Sequence, residues 1–201
     1  MTKIKLCGLS RPCDIEWANA LMPDYIGFVF AQKSKRYVSP ERAKALREGL
    51  DSNIRAVGVF VNETPEVVAD LLNTGIIDLA QLHGGEDEEY IKALRGLTDR
   101  PLIKAFRVDG PSDLEKARNS SADYVLLDNG AGGTGTAFDW ALLKGFDRPY
   151  FLAGGLGPGN VGQTVKALDP FAVDVSSGIE TDGAKDYAKM TAFVNAARHE
   201  E

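Results

Sequence analysis

The chain has 201 residues, 44% of them hydrophobic and 26% charged, with a formal net charge of −6. That balance belongs to an ordinary globular chain, long enough to bury a core without disulfide or metal staples. It excludes a membrane span, because no run approaches the ~18 apolar residues one needs, and the negative charge argues against a dedicated nucleic-acid binder.

The opening MTKIKLCG has no apolar h-region, so no secretory signal is expected. Cys7 and Cys13 are the only cysteines, and there are two histidines and no CxxC. A disulfide framework and a zinc site are therefore both unsupported, and the expectation is a reduced, cytoplasmic protein without a metal.

Apolar, β-branched runs alternate with amphipathic stretches along the whole chain. The expected strands are 3–7, 25–30, 55–61, 77–83, 102–106, 122–128, 150–154 and 171–176. Ser39-Pro40-Glu41 and Thr64-Pro65-Glu66 read as helix starts, each with a cap residue, proline at the first helical position and an early acid. Gly110-Pro111-Ser112-Asp113 opens another helix, and Gly157-Pro158-Gly159-Asn160 is a weaker start. Residues 184–198 read as a last helix.

Eight strands with helices between them point to a parallel sheet. About 25 residues per unit fits a compact (β/α)₈ TIM barrel, an α/β fold read here as one domain over residues 1–201. A doubly wound open sheet is the alternative. It would carry its phosphate fingerprint after the first strand, where Cys7-Gly8-Leu9-Ser10-Arg11 stands instead of GxGxxG.

In a barrel the site lies where the strands end. Those ends read Cys7, Phe30, Val61, His83, Phe106, Asp128, Gly154 and Ser176. The sixth is the most telling. Tyr124-Val125-Leu126-Leu127 runs into Asp128, a loop with Gly130, Gly132, Gly133 and Gly135 follows, and Phe138-Asp139-Trp140 resumes order. An apolar strand does not hold a carboxylate at its tip without a use for it.

On the residues alone, several positions have two readings. Cys7 is an inert buried thiol or a reactive one, and Asp128 a turn-former or a proton donor. Arg36 is part of a solvated basic loop with Lys33 and Lys35, or a carboxylate ligand. His83 is a structural rim residue or lines the site. Gly154-Gly155 and Ser176-Ser177-Gly178 are plain turns, or the phosphate grip that barrels build after strands seven and eight. The 132–135 glycines could cradle phosphate too, but beside the acid they better suit a flexible cover over the site. His199 falls in the terminus and faces solvent.

Further motifs run from end to end: Lys5-Leu6-Cys7-Gly8, Gly27-Phe28-Val29-Phe30, Ser34-Lys35-Arg36, Val57-Gly58-Val59-Phe60 and Gln81-Leu82-His83-Gly84. They continue through Leu127-Asp128 with Gly132-Gly133-Thr134-Gly135, Phe138-Asp139-Trp140, Ala153-Gly154-Gly155-Leu156 and Val173-Asp174-Val175-Ser176-Ser177-Gly178. In these segments, taken in this order, the chain resembles phosphoribosylanthranilate isomerases. Leu6 and Ser10 stand where Ile and Thr are common. The resemblance implies an Amadori rearrangement of N-(5-phosphoribosyl)anthranilate, with Cys7 as general base, Asp128 as general acid, Arg36 on the anthranilate carboxylate, and no redox cofactor or metal. It implies a small phosphosugar as partner. The chain is read as a monomer, with a homodimer as the alternative. The nearest rival is the aminoaldose isomerase of histidine biosynthesis, which places an aspartate where Cys7 stands. A non-catalytic phosphometabolite-binding barrel is the rival from another class.

Strand alternation adds one expectation. It puts Lys5 in phase with Cys7, Gln81 with His83, Lys104 with Phe106 and Asp174 with Ser176. If the strand ends face the mouth, these polar residues lie one layer deeper. Strands one and eight adjoin in a closed barrel, so Lys5 and Asp174 should pair inside it, and Lys5 would favour the Cys7 thiolate from below.

Overall fold

The structure, a computed structural model, describes residues 1–128, 143 and 145–198. Its strands are β1 (Lys3–Cys7), β2 (Tyr25–Val29), β3 (Arg55–Phe60), β4 (Leu79–Leu82), β5 (Leu102–Arg107), β6 (Tyr124–Asp128), β7 (Tyr150–Ala153) and β8 (Ala172–Val175). All eight pair in parallel, and β8 closes onto β1. The helices are α1 (Pro12–Leu21), α2 (Pro40–Glu48), α3 (Pro65–Asn73), α4 (Glu88–Arg95), α5 (Pro111–Asn119), α6 (Val161–Leu168) and α7 (Tyr187–Arg198). The connection from β6 to β7 lies largely outside the described residues, and with it the Gly130–Gly135 loop and Trp140; so does His199.

Local chemistry starts the helices. Proline occupies the first position of α1, α2, α3 and α5, where its missing N–H costs nothing. The Ser39 hydroxyl accepts from the Arg42 N–H, and the Asp87 carboxylate from the Tyr90 N–H. Thr64, expected to cap in the same way, makes no side-chain cap bond. At the opposite end of the barrel, aspartates just before β2, β4 and β6 lock alternate strands. Asp24, Asp78 and Asp123 accept the backbone N–H groups of Ile4, Ala56 and Leu102 at 2.9, 2.7 and 2.7 Å.

Inside the barrel the side chains form layers. Tyr25, Val57, Leu79, Ile103, Leu126, Phe151 and Ala172 pack as an apolar plug with Tyr124 and Phe171. Above it lie buried Lys5, Gln81 and Asp174, and above those Cys7, Val29 and Val59. The larger apolar core lies between barrel and helices.

The expected strands run one or two residues too far at several ends: Phe30, Val61, His83, Gly154 and Ser176 fall in the loops. The phase of β5 is also corrected. Ile103 belongs to the inner plug, so Lys104 and Phe106 face the helices. Lys104 there pairs with Glu86 at 3.1 Å and donates to the carbonyls of Leu82 and Gly84. Phe30 likewise faces outward, stacked on Phe60. Residues 184–185 are not helical. Glu180–Thr181 (β9) and Ala184–Lys185 (β10) form a two-stranded ribbon, and α7 starts at Tyr187.

Candidate active site

A cleft of about 470 Å³ opens at the ends of the strands. Its wall holds Cys7, Arg36, His83, Asp128, Gly154, Gly155, Ser176 and Ser177, with Gln81 and Asp174 beneath. Gly178 stands behind the wall: a Cβ there would lie 2.0 Å from the Leu156 carbonyl oxygen, so only glycine lets the loops after β7 and β8 meet. Eight of the nine residues expected to form a site thus converge from six different strand ends.

Cys7 closes β1 and is 7% exposed. Gly27 on β2 makes room for it, because a Cβ at Gly27 would lie 2.6 Å from the Cys7 sulfur. Beneath it, the Lys5 ammonium donates to Gln81 Oε1 at 2.7 Å and to Asp174 Oδ1 at 3.0 Å. The expected Lys5–Asp174 pair is therefore present, with Gln81 as a partner not foreseen. The charge of Lys5 also acts on Cys7, which lies in the same strand phase one layer above it. The expected effect on the thiol is outweighed. Burial pushes Cys7 up, Lys5 pulls it down, Asp174 pushes it up again, and the net shift is upward. Lys5 itself is raised: burial opposes its charge, but Asp174 and Cys7 more than compensate.

His83 sits at the mouth with 36% of its side chain exposed, its Nε2 3.7 Å from Asp128 Oδ2. Its Nδ1 lies 2.8 Å from Gln81 Nε2. Partial burial lowers the His83 pKa, and Asp128 only partly offsets this. The direction of that shift favours the neutral ring.

Arg36 reaches the cleft but does not face it alone. Its guanidinium grips the Glu180 carboxylate with two parallel bonds, Nε to Oε1 at 2.5 Å and Nη2 to Oε2 at 2.8 Å. Glu180 also accepts from Lys185 Nζ at 2.7 Å and lies 3.7 Å from Lys35 Nζ. Burial pushes its pKa up, but Arg36 and Lys185 outweigh this and hold it at about 2. Lys185 continues to the Ser176 carbonyl at 2.9 Å and hydroxyl at 3.4 Å. Glu180 and Lys185 were missed in the sequence. The available signal was Asp182-Gly183, a hairpin dipeptide whose two residues have φ of 51° and 80°.

Across the cleft, Gly154 and Gly155 have φ of 90° and 67°, values that glycine adopts without strain. Among the described residues, the N–H groups of Gly155, Ser177 and Gly178 have no protein acceptor. Gly155 and Ser177 line the cleft, and unpaired N–H groups on such glycine-rich turns suit an anion. No cluster of three or more His, Cys, Asp or Glu able to hold a metal occurs among the described residues, and no described helix is long and apolar enough to cross a membrane.

The family profile of N-(5'-phosphoribosyl)anthranilate (PRA) isomerase matches residues 4–196. The chain is 46% identical over 204 residues to the N-(5'-phosphoribosyl)anthranilate isomerase of Thermoanaerobacter sp. (strain X514), covering 98% of each chain. It superposes with a TM-score of 0.89 on the phosphoribosyl anthranilate isomerase of Thermotoga maritima, at 36% identity over 98% of this chain and 99% of that one. A crystal structure of such an isomerase in complex with reduced 1-(o-carboxyphenylamino)-1-deoxyribulose 5-phosphate matches with a TM-score of 0.86 at 36% identity, covering 98% of this chain and 99% of that one. With family profile, relatives and barrel in agreement over nearly the whole length, the chain belongs to the N-(5'-phosphoribosyl)anthranilate isomerase family.

Proposed function

We propose that this barrel carries out its family's isomerisation in tryptophan biosynthesis, N-(5'-phosphoribosyl)anthranilate to 1-(2-carboxyphenylamino)-1-deoxyribulose 5-phosphate, with Asp128 as acid and Cys7 as base. Asp128 gives a proton to the furanose ring oxygen as the C1–O bond breaks, leaving an iminium at C1. Cys7 takes the proton from C2, and the electron pair moves to form the enolamine; C1 then gains a proton as the C2 hydroxyl loses one, which gives the ketone. The observation that carries this reading is that a thiol and a carboxylate from β1 and β6 face one cleft whose far wall offers unpaired backbone N–H groups. An aldose–ketose shift needs that combination of proton donor, proton acceptor and anion grip.

The phosphate is assigned to Gly154-Gly155 and Ser176-Ser177-Gly178, in the turns that follow β7 and β8. The anthranilate carboxylate is assigned to Arg36. The Glu180 pair uses Nε and Nη2, and the remaining guanidinium N–H groups of Arg36 have no acceptor among the described residues. His83 lines the substrate side of Asp128. The chain is read as a single cytoplasmic barrel domain over residues 1–201. It is also read as a monomer, because its exposed large apolar residues, Met22, Val67, Leu97 and Tyr187 among them, sit on different elements.

The test follows loss of substrate fluorescence on turnover. Cys7→Ala and Asp128→Asn should each lower kcat by about 10²–10⁴-fold with the far-ultraviolet spectrum unchanged. Near-normal turnover in either variant removes that residue from the mechanism.

A further inference from the structure

A row of side chains runs from the barrel interior to the mouth of the cleft: Lys5, Gln81, His83, Asp128. We infer that Lys5 and Gln81 are positioning residues that fix the tautomer of His83, so that its Nε2–H faces Asp128. The inference deepens the acid role given to Asp128 above and rests on it.

Donor and acceptor types decide the chain of contacts. Lys5 is fully buried, and its ammonium can only donate. The group 2.7 Å away on Gln81 must therefore be the amide oxygen, Oε1; the flipped amide would set N–H against N–H. With Oε1 so held, the amide nitrogen lies 2.8 Å from His83 Nδ1. An amide NH₂ has only donors, so Nδ1 must be the bare, accepting nitrogen. A neutral imidazole with Nδ1 bare carries its proton on Nε2, and Nε2 is the atom 3.7 Å from Asp128 Oδ2.

Two consequences bear on the reaction. A proton on Nδ1 would meet the Gln81 amide head-on, so the same contact that selects the tautomer also opposes the imidazolium. That agrees with the lowered basicity of the ring. Towards Asp128, the selected tautomer turns an N–H rather than a lone pair to the Oδ2 side, 3.7 Å away, so the ring presents a donor to the carboxylate that remains once the proton has passed to the sugar ring oxygen. The anchor for all of this is Asp174, whose pairing at 3.0 Å holds Lys5 in place from β8.

The chain contains only His83 and His199, so its imidazole resonances are readily assigned. Two-bond ¹H–¹⁵N correlation spectra of the wild-type protein at neutral pH should show His83 as the Nε2–H tautomer. An Nδ1–H tautomer or an imidazolium overturns the proposal, and this needs no variant. Gln81→Glu places a carboxylate against Nδ1 and should switch the tautomer; Gln81→Met should leave the tautomers mixed. Each should lower kcat by about tenfold or more, with a smaller change in KM. A switched tautomer at unchanged kcat overturns the positioning role. Asp128→Asn is the separate control. Full activity there defeats the acid assignment, while the tautomer result stands by itself.

Discussion

Arg36 and Glu180 lie 144 residues apart in sequence and meet edge to edge, with guanidinium Nε and Nη2 on the two carboxylate oxygens. Glu180 is at the same time the counterion of Lys185, whose side chain is 2% exposed. One carboxylate thus sets the direction of the residue assigned to the substrate carboxylate and neutralises a buried lysine against the β8 loop. Glu180→Gln keeps the shape and removes the charge. Breaking a buried pair on one side costs about 3–5 kcal/mol. Denaturant unfolding should show a loss of that order, and KM for the substrate should rise more than kcat falls. A variant with unchanged stability and KM would show that Arg36 needs no such support.

The same carboxylate predicts how the protein answers acid. Its folded pKa of about 2 lies below the ordinary 4.5, so in the relevant interval the unfolded chain binds the proton and the folded one does not. The stability Glu180 contributes is therefore complete above pH 4.5 and disappears as pH falls toward 2. Denaturant midpoints measured across that interval should fall with pH in the wild type, and less steeply in Glu180→Gln. Parallel slopes in the two proteins would assign the acid sensitivity to other groups.

Cys7 and Lys5 give a prediction of opposite sense. Burial raises the thiol, and the base form accumulates only as pH rises. The rate of alkylation of Cys7 by iodoacetamide, measured in a Cys13→Ser background, should climb with pH through a midpoint above that of an ordinary cysteine. Lys5→Met removes the cation that opposes this rise and leaves Asp174, which adds to it. The midpoint should move further up. A downward move would show that Lys5 does not stabilise the thiolate.

Much of the site could be read from the sequence because a barrel sets strand ends in a ring. Cys7 and Asp128 close their strands, and the period of two carried Lys5 and Asp174 to the same inner layer. That logic needs the strand phase, and it fails where the strand end is misplaced. β5 runs on to Arg107, so Lys104 points to Glu86 rather than into the barrel. Glu180 and Lys185 were hidden for another reason. The ribbon that presents them is two residues per strand, too short for any periodicity, and its neighbour α7 draws Ala184 and Lys185 into a helical reading. Gln81 was placed in the right layer, but its role depends on which of two amide atoms faces Lys5. That follows only from a distance between residues 76 apart.

Gly8 joins three of these loops and supports a last prediction. Its φ is +82°, and a Cβ there would lie 2.4 Å from Arg36 Cδ and 3.3 Å from Ser176 Oγ. Alanine would be strained in the backbone by about 1–2 kcal/mol and would also push Arg36 off its place. Gly75 separates the two effects. Its φ is +76°, but nothing lies within 4 Å of its missing Cβ, so Gly75→Ala carries the strain without the contact. Both variants should lose similar stability from the backbone, and Gly8→Ala should in addition raise KM by about tenfold or more, the scale of one lost charged contact. Equal KM values in the two variants would mean that Arg36 moves aside without loss, and that the substrate carboxylate is held elsewhere.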